Sequence, residues 1–203
     1  MSETLVISAS PSETSRTSAL AQHVSAQLQQ FGLRSSVIEV RKLPAEDLIL
    51  ARTSAPPIAA ALARVASATS IVVTSPVYKA AYCGLLKVFL DLFPQFGLRG
   101  KIVFPLLTGG TPAHVLAIDY ALRPVLASMD PFHVLGGLFV LDKQIEISST
   151  GKLQLASEVS AKLDASLLTF NSAHRRSVYA DSTDPNTIGG GAVRDQICSS
   201  RAF

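Results

Sequence analysis

Charge, aromatic side chains and cysteine are all scarce in this chain. Charged residues make up 16% and aromatics 6% of 203 positions, while apolar residues reach 48%, so alanine, leucine and valine must carry the core. The two cysteines, Cys83 and Cys198, lie far apart, with no metal-ligand spacing and no C-x-x-C. That argues against a disulfide scaffold or metal centre and makes a reducing cytoplasm the expected compartment. No apolar run approaches the ~18 residues of a membrane span. Met1-Ser2-Glu3-Thr4 has neither the basic stretch nor the long apolar segment of a secretory signal. A net charge of +3, without a Lys/Arg block interleaved with aromatics, gives no footprint for nucleic acid. Three motifs are missing as well: G-x-G-x-x-G after a strand, G-x-x-x-x-G-K-[ST] and G-x-S-x-G. Dinucleotide-fingerprint, P-loop and nucleophile-elbow chemistry therefore have no support.

What is present has a regular rhythm. Ile71-Val72-Val73 is a continuous β-branched run, as expected of a strand covered on both faces. Thr74-Ser75-Pro76 is expected to stop it, because proline has no N–H for the ladder and biases the residue before it away from helix. Further strands are expected at 5–7, 36–40, 102–107 and 134–140. Helices are expected over 17–31, 58–66, 82–93, 112–129 and 153–170, with 43–57 irregular. In the first helix Leu20, Val24 and Leu28 recur at i, i+4 and i+8, and Gly32 closes it. Five β-α units with crossovers of this length require a parallel sheet. Right-handed crossovers then favour an α/β, three-layer, flavodoxin-like fold with strand order 2-1-3-4-5. The expected domain covers 1–173. Residues 174–203 are polar, contain Gly189-Gly190-Gly191 and read as a mobile tail.

In that strand order the carboxyl-end loops of strands one, three and four converge, which is where open α/β sheets bind ligands. The first loop offers Ser10, Ser15, Arg16, Thr17 and Ser18 directly before a helix. Capping needs only one such hydroxyl. The surplus, with a guanidinium and free helix N–H groups, suits a terminal phosphate. The second loop brings Pro76, Val77, Tyr78 and Lys79, and the third Thr108, Gly109, Gly110, Thr111 and His114. Lys79 could equally be a solvated surface charge, and His114 a residue that packs or caps at a helix start. A buried filler is the simplest role for Cys83. A hydroxyl-rich phosphate loop on this sheet, without dinucleotide motifs, points to a mononucleotide such as FMN.

Read in order, Ser10-Pro11, Ser15-Arg16-Thr17-Ser18-Ala19-Leu20, Ser75 to Tyr82, Thr108 to His114 and Asp119-Tyr120-Ala121-Leu122-Arg123-Pro124 resemble the NADPH-dependent FMN reductase family. Within it they resemble the reductases of two-component alkanesulfonate monooxygenase systems. The resemblance covers about residues 4–142, leaving out the last stretch of the chain. It implies that Ser10, Ser15, Arg16, Thr17 and Ser18 hold the FMN phosphate, and that Pro76 to Lys79 line the ribityl chain and one ring edge. Thr108 to Thr111 would meet the pyrimidine edge, with His114 close by. N–H groups at the start of a helix at Pro112 would favour the negative charge of reduced flavin. No catalytic acid, base or metal is implied, because flavin accepts hydride directly. Tyr120 would distort its helix into a π-bulge at an oligomer interface, dimer or tetramer, and help make flavin exchangeable; a plain interface aromatic is the alternative. Pro124 is an independent reason to expect irregularity there. NADPH, or NADH, would be the donor, with Lys79 or Arg123 as candidates for a 2′-phosphate. An FMNH2-dependent monooxygenase would be the partner. Two other activities stay open: a flavin-retaining quinone, azo or metal-oxyanion reductase, and an FMN electron carrier or redox sensor.

Overall fold

The computed structural model describes residues 3–149 and 152–183. Its first half runs β1 (Glu3–Ser8), α1 (Arg16–Gln30), β2 (Arg34–Glu39), α2 (Ala45–Ile49), α3 (Pro56–Ser67) and β3 (Ser70–Tyr78). Next come β4 (Ala81–Tyr82), α4 (Gly84–Leu90), β5 (Ile102–Gly109) and α5 (Arg123–Ala127). The last elements are β6 (His133–Val134), β7 (Leu138–Leu141), β8 (Ile145–Ile147), β9 (Leu153–Leu155) and α6 (Ser157–Thr183). The sheet order is β2-β1-β3-β5-β6, with β7 pairing β5 beyond β6, and the ladders between these strands are parallel. Counting β6 and β7 as one interrupted strand gives the expected flavodoxin-like 2-1-3-4-5 arrangement.

Both faces of the sheet are covered, and the period of two in the strands divides the core. Leu5, Ile7, Ile71, Val73, Val103 and Leu107 pack with α3, α4 and the segment before α5. Val6, Val72, Ile102, Phe104 and Leu106 pack with Leu20, Val24 and Leu28 of α1 and with Leu163, Leu167 and Phe170 of α6.

Two prolines shape the end of the sheet that matters for function. Pro76 was expected to stop β3, yet the strand continues to Tyr78. The β1 ladder ends at the Ser8–Thr74 pair, so Pro76 interrupts no pairing with β1; β5 flanks it on one side, and on the other its carbonyl accepts the Cys83 N–H at 3.1 Å. The chain then turns through Lys79 and Ala80, with φ of 52° and 65°, and returns as β4. Two successive positive φ values match a type I′ hairpin. Lys-Ala is not a sequence signal for one, so a loop and helix were expected from 74 to 93; α4 itself starts only at Gly84. Pro105 lies in β5 between the stretches paired to β6 and to β7. Opposite it, the expected strand 134–140 breaks at Gly136-Gly137.

Three further expectations are corrected. Residues 43–57 contain the short helix α2. Leu153–Leu155 is a strand in a hairpin with β8, and the last helix begins at Ser157. That helix runs through to Thr183 rather than ending at 170, so it takes in residues 174–183 of the expected tail. Its apolar stripe of Leu163, Leu167 and Phe170 continues through Ala173 and the buried His174, one face within an otherwise polar sequence. The rest of the expected tail, 184–203, lies outside the described residues.

The expected helix over 112–129 is also irregular. A 3₁₀ turn covers Pro112–His114, a π-helix Ile118–Leu122, and only then does α5 begin. Pro124 has no N–H, so a regular helix here would leave the carbonyl four residues back without its donor. Ile118 and Leu122 face the core, while Tyr120 is 80% exposed.

Candidate functional site

Register places the site. Ser8 pairs with Thr74 and Pro76 with Thr108, so the chain leaves β1, β3 and β5 at neighbouring points on the carboxyl edge. A cleft of about 180 Å³ opens there, lined by Ser10, Ser12, Thr14, Ser15, Arg16, Thr17, Pro76, Val77, Tyr78, Thr108, Gly109 and Asp142. Of the residues expected from sequence, Ser10, Ser15, Arg16, Thr17, Pro76, Val77, Tyr78, Thr108 and Gly109 meet in it. Ser18, Lys79, Gly110, Thr111 and His114 do not line it. Lys79 is exposed at the hairpin tip, and Gly110 is exposed beyond the end of β5.

The hydroxyls of the first loop divide by task. Ser15 caps α1, its Oγ accepting from the Ser18 N–H at 3.1 Å. Thr17 is buried and shares a 2.6 Å hydrogen bond with Thr108, tying the helix start to the end of β5. Ser18 takes a 3.2 Å bond from Ser8, which turns it away from the cleft. Ser10 is 2% exposed, and among the described residues none bonds its hydroxyl. Ser10 lines the cleft, so that hydroxyl is open to a ligand there. Arg16 donates through Nε to the Ile145 carbonyl at 3.2 Å, which orients the guanidinium and leaves its terminal nitrogens for a ligand.

The second wall is anchored from behind by Cys83. Its N–H donates to Ser75 Oγ at 3.0 Å and its thiol to the Ala9 carbonyl at 2.7 Å, so one residue links the β1 loop to the β3–β4 hairpin. On the floor, a Cβ added at Gly109 would come within 2.8 Å of Phe139 Cζ, so backbone alone fits. Burial pushes the phenol of Tyr82, behind the hairpin, above its ordinary value, with Lys87 opposing and Asp91 adding to the shift. Near neutral pH that ring is uncharged.

Two expectations about the rim change. Thr111 caps only the single 3₁₀ turn Pro112–His114, so no long helix dipole points at the site from there. Arg123 is committed elsewhere: Nε donates to Asp119 at 2.9 Å and a terminal nitrogen to the Val134 and Leu135 carbonyls at 3.0 and 3.2 Å. These bonds hold the π-helix to β6 and occupy two of the three guanidinium nitrogens.

Sequence reasoning missed Ser12, Thr14 and Asp142. The first two belong to the hydroxyl run already singled out. Asp142 follows β7, whose carboxyl end adjoins that of β5, and a lone acid after the apolar run 138–141 was its only signal.

A family model described as NADPH-dependent FMN reductase matches residues 3–146. The chain belongs to that family. This reductase is 38% identical to an FMN reductase (NADPH) of Pseudomonas putida over 196 residues, covering 96% of each chain. It is also 38% identical to an FMN reductase (NADPH) of Escherichia coli over 175 residues, 86% of this chain and 91% of that one. Among solved structures, the apo form of the NADH:FMN oxidoreductase EMOB superposes with a TM-score of 0.76 at 36% identity, over 92% of this reductase and 94% of that chain. The chain is therefore an oxidoreductase of the flavin and nicotinamide class. No helix among the described residues is long and apolar enough to cross a membrane.

Proposed function

We propose that this protein moves hydride from NADPH to FMN and releases the reduced flavin to an FMNH2-dependent monooxygenase of the sulfonate-sulfur type. The observation that carries the reading is the cleft beside the α1 N-terminus, lined by Ser10, whose hydroxyl no described residue bonds, and by the free end of Arg16. The residues fit a phosphate: Ser10, Ser12, Ser15, Arg16 and the first N–H groups of α1 would hold it. Pro76, Val77 and Tyr78 would flank the ribityl chain and ring, and Thr108 and Gly109 would offer backbone to the pyrimidine edge. Bound FMN supplies the acceptor atom, N5, so the protein's work is to orient two rings rather than to move protons.

Size supports exchange rather than retention. At about 180 Å³ the cleft is smaller than the ~300–1,000 Å³ typical of pockets that enclose a small ligand, so the ring would lie on an open lip. Exposed Tyr78 is on that lip. The π-helix packs against β4, and together with the turn before it presents Val115, Leu116 and Tyr120 outward, a surface suited to a second copy of the chain. Oligomerisation there would reach the flavin through the β3–β4 hairpin. Within the family both nicotinamides are represented by name, since the Pseudomonas putida and Escherichia coli relatives are NADPH enzymes and EMOB an NADH one.

The test is absorbance at 340 nm after desalting, with NADPH or NADH and with or without added FMN. Oxidation that requires FMN and follows its concentration is expected. Oxidation of NADPH by a quinone with flavin retained, and no response to free FMN, would sink the proposal.

A further inference from the structure

The cleft contains two full charges of opposite sign that do not pair with each other. Arg16 bonds the Ile145 carbonyl, and the Asp142 carboxylate has no hydrogen bond or ion pair among the described residues. Asp142 opens the 3₁₀ turn Asp142–Gln144 at the end of β7 and is half-buried. A Cβ built on Gly110 would lie 3.8 Å from its Oδ2, so the carboxylate reaches the backbone at the end of β5. The guanidinium is explained by a phosphate. A carboxylate is not, because it can only accept hydrogen bonds and repels an anion.

We propose that Asp142 is a specificity-determining residue for the redox state of the ligand, weakening the binding of reduced flavin relative to oxidised flavin so that the product leaves. The inference rests on the reading of the cleft as an FMN site. Oxidised and reduced FMN carry the same phosphate, so repulsion between Asp142 and that group cancels in the ratio of the two affinities. The flavin ring does not cancel. It is neutral when oxidised and carries negative charge near N1 and O2 when reduced, on the pyrimidine edge assigned to Thr108 and Gly109. A fixed negative charge beside that edge opposes only the reduced form. For an enzyme that hands its product on, this asymmetry is useful: the substrate enters at the strength the phosphate site sets, and the product is held less tightly.

The experiment compares dissociation constants of oxidised FMN and of anaerobically reduced FMN for the wild-type protein, Asp142→Asn, Asp142→Ser and Glu146→Gln. Thermal melts confirm that each variant folds. Glu146 is exposed and outside the cleft, so it controls for net charge alone. The two Asp142 variants are expected to tighten reduced FMN relative to oxidised FMN by roughly tenfold, equivalent to raising the bound-flavin potential by about 30 mV. Glu146→Gln should leave the ratio where it is. An unchanged ratio in both Asp142 variants, with both flavin forms still bound by the wild type, would overturn the inference and leave the FMN reading standing. An equal shift in Glu146→Gln would also overturn it. Failure of the wild type to bind either form would instead overturn the reading of the cleft, and the inference with it.

Discussion

Arg16 does its local work through one nitrogen and keeps the others for a ligand, and Ser10 keeps its whole hydroxyl. If both serve a phosphate, their loss should be felt only by flavins that carry one. A hydrogen bond to a charged group contributes about 1.5–3 kcal/mol. Arg16→Ala is therefore expected to raise KM for FMN roughly tenfold to a hundredfold, with Ser10→Ala acting in the same direction. Riboflavin has the same ring without the phosphate, and its turnover should be nearly unchanged by either substitution. Steady-state kinetics with both flavins checks this, and an equal penalty on riboflavin would show a general distortion of the cleft. These two residues were legible in the sequence because their chemistry is local, a run of hydroxyls and one base before a helix. Asp142 was not, since a single acid far along the chain becomes part of the cleft only when β7 is laid beside β5. Lys79 misled for a related reason. Its neighbours read as a loop, but the hairpin carries its side chain out to the tip.

Among the elements, the π-helix depends on a gap in the sheet beneath it. A Cβ at Gly137 would meet Ile118 Cγ2 at 2.6 Å and the Pro105 carbonyl at 3.0 Å. The break between β6 and β7 thus makes room for Ile118. Overfilling such a contact costs about 1–3 kcal/mol. Gly137→Ala is expected to lower stability by that amount in urea unfolding. In an Ile118→Ala background, which removes Cγ2, the same substitution should cost less, because the two sites share one contact and their effects should not add. Full additivity would mean that the glycine is there for its backbone freedom instead. The sequence announced irregularity in this region through Pro124 but not where the strain is relieved. A Gly-Gly pair inside an apolar run carries no label for the helix that will press on it.

At the scale of the whole molecule, ligand chemistry gathers at the carboxyl edge of the sheet, and α6, lying on one face, reaches the opposite edge. There it meets a buried polar chain: Thr4 Oγ1 and Ser70 Oγ lie 2.8 Å apart, and Ser70 Oγ is 2.9 Å from His174 Nδ1. Composition hid this link, because a polar stretch after 173 looks like a tail until its one apolar face is phased with the helix before it. Burial lowers the His174 pKa from 6.5, and the nearby Arg175 lowers it further. His23 is lowered as well, by desolvation, with Asp164 opposing. Below 6.5 the unfolded chain takes up protons at these rings that the folded chain refuses, so stability must fall as pH drops through the unfolded value, until the folded pKa is reached. One such proton gives a slope of at most about 1.4 kcal/mol per pH unit. Unfolding free energy measured from pH 7.5 down to about 5 stays above most carboxylate titration. His174→Gln can keep a hydrogen bond to Ser70 without taking a proton. It should flatten the profile by His174's share and leave His23's share in place. A profile as steep in His174→Gln as in the wild type would mean that α6 is held by its apolar stripe alone, with the buried ring a passenger in it.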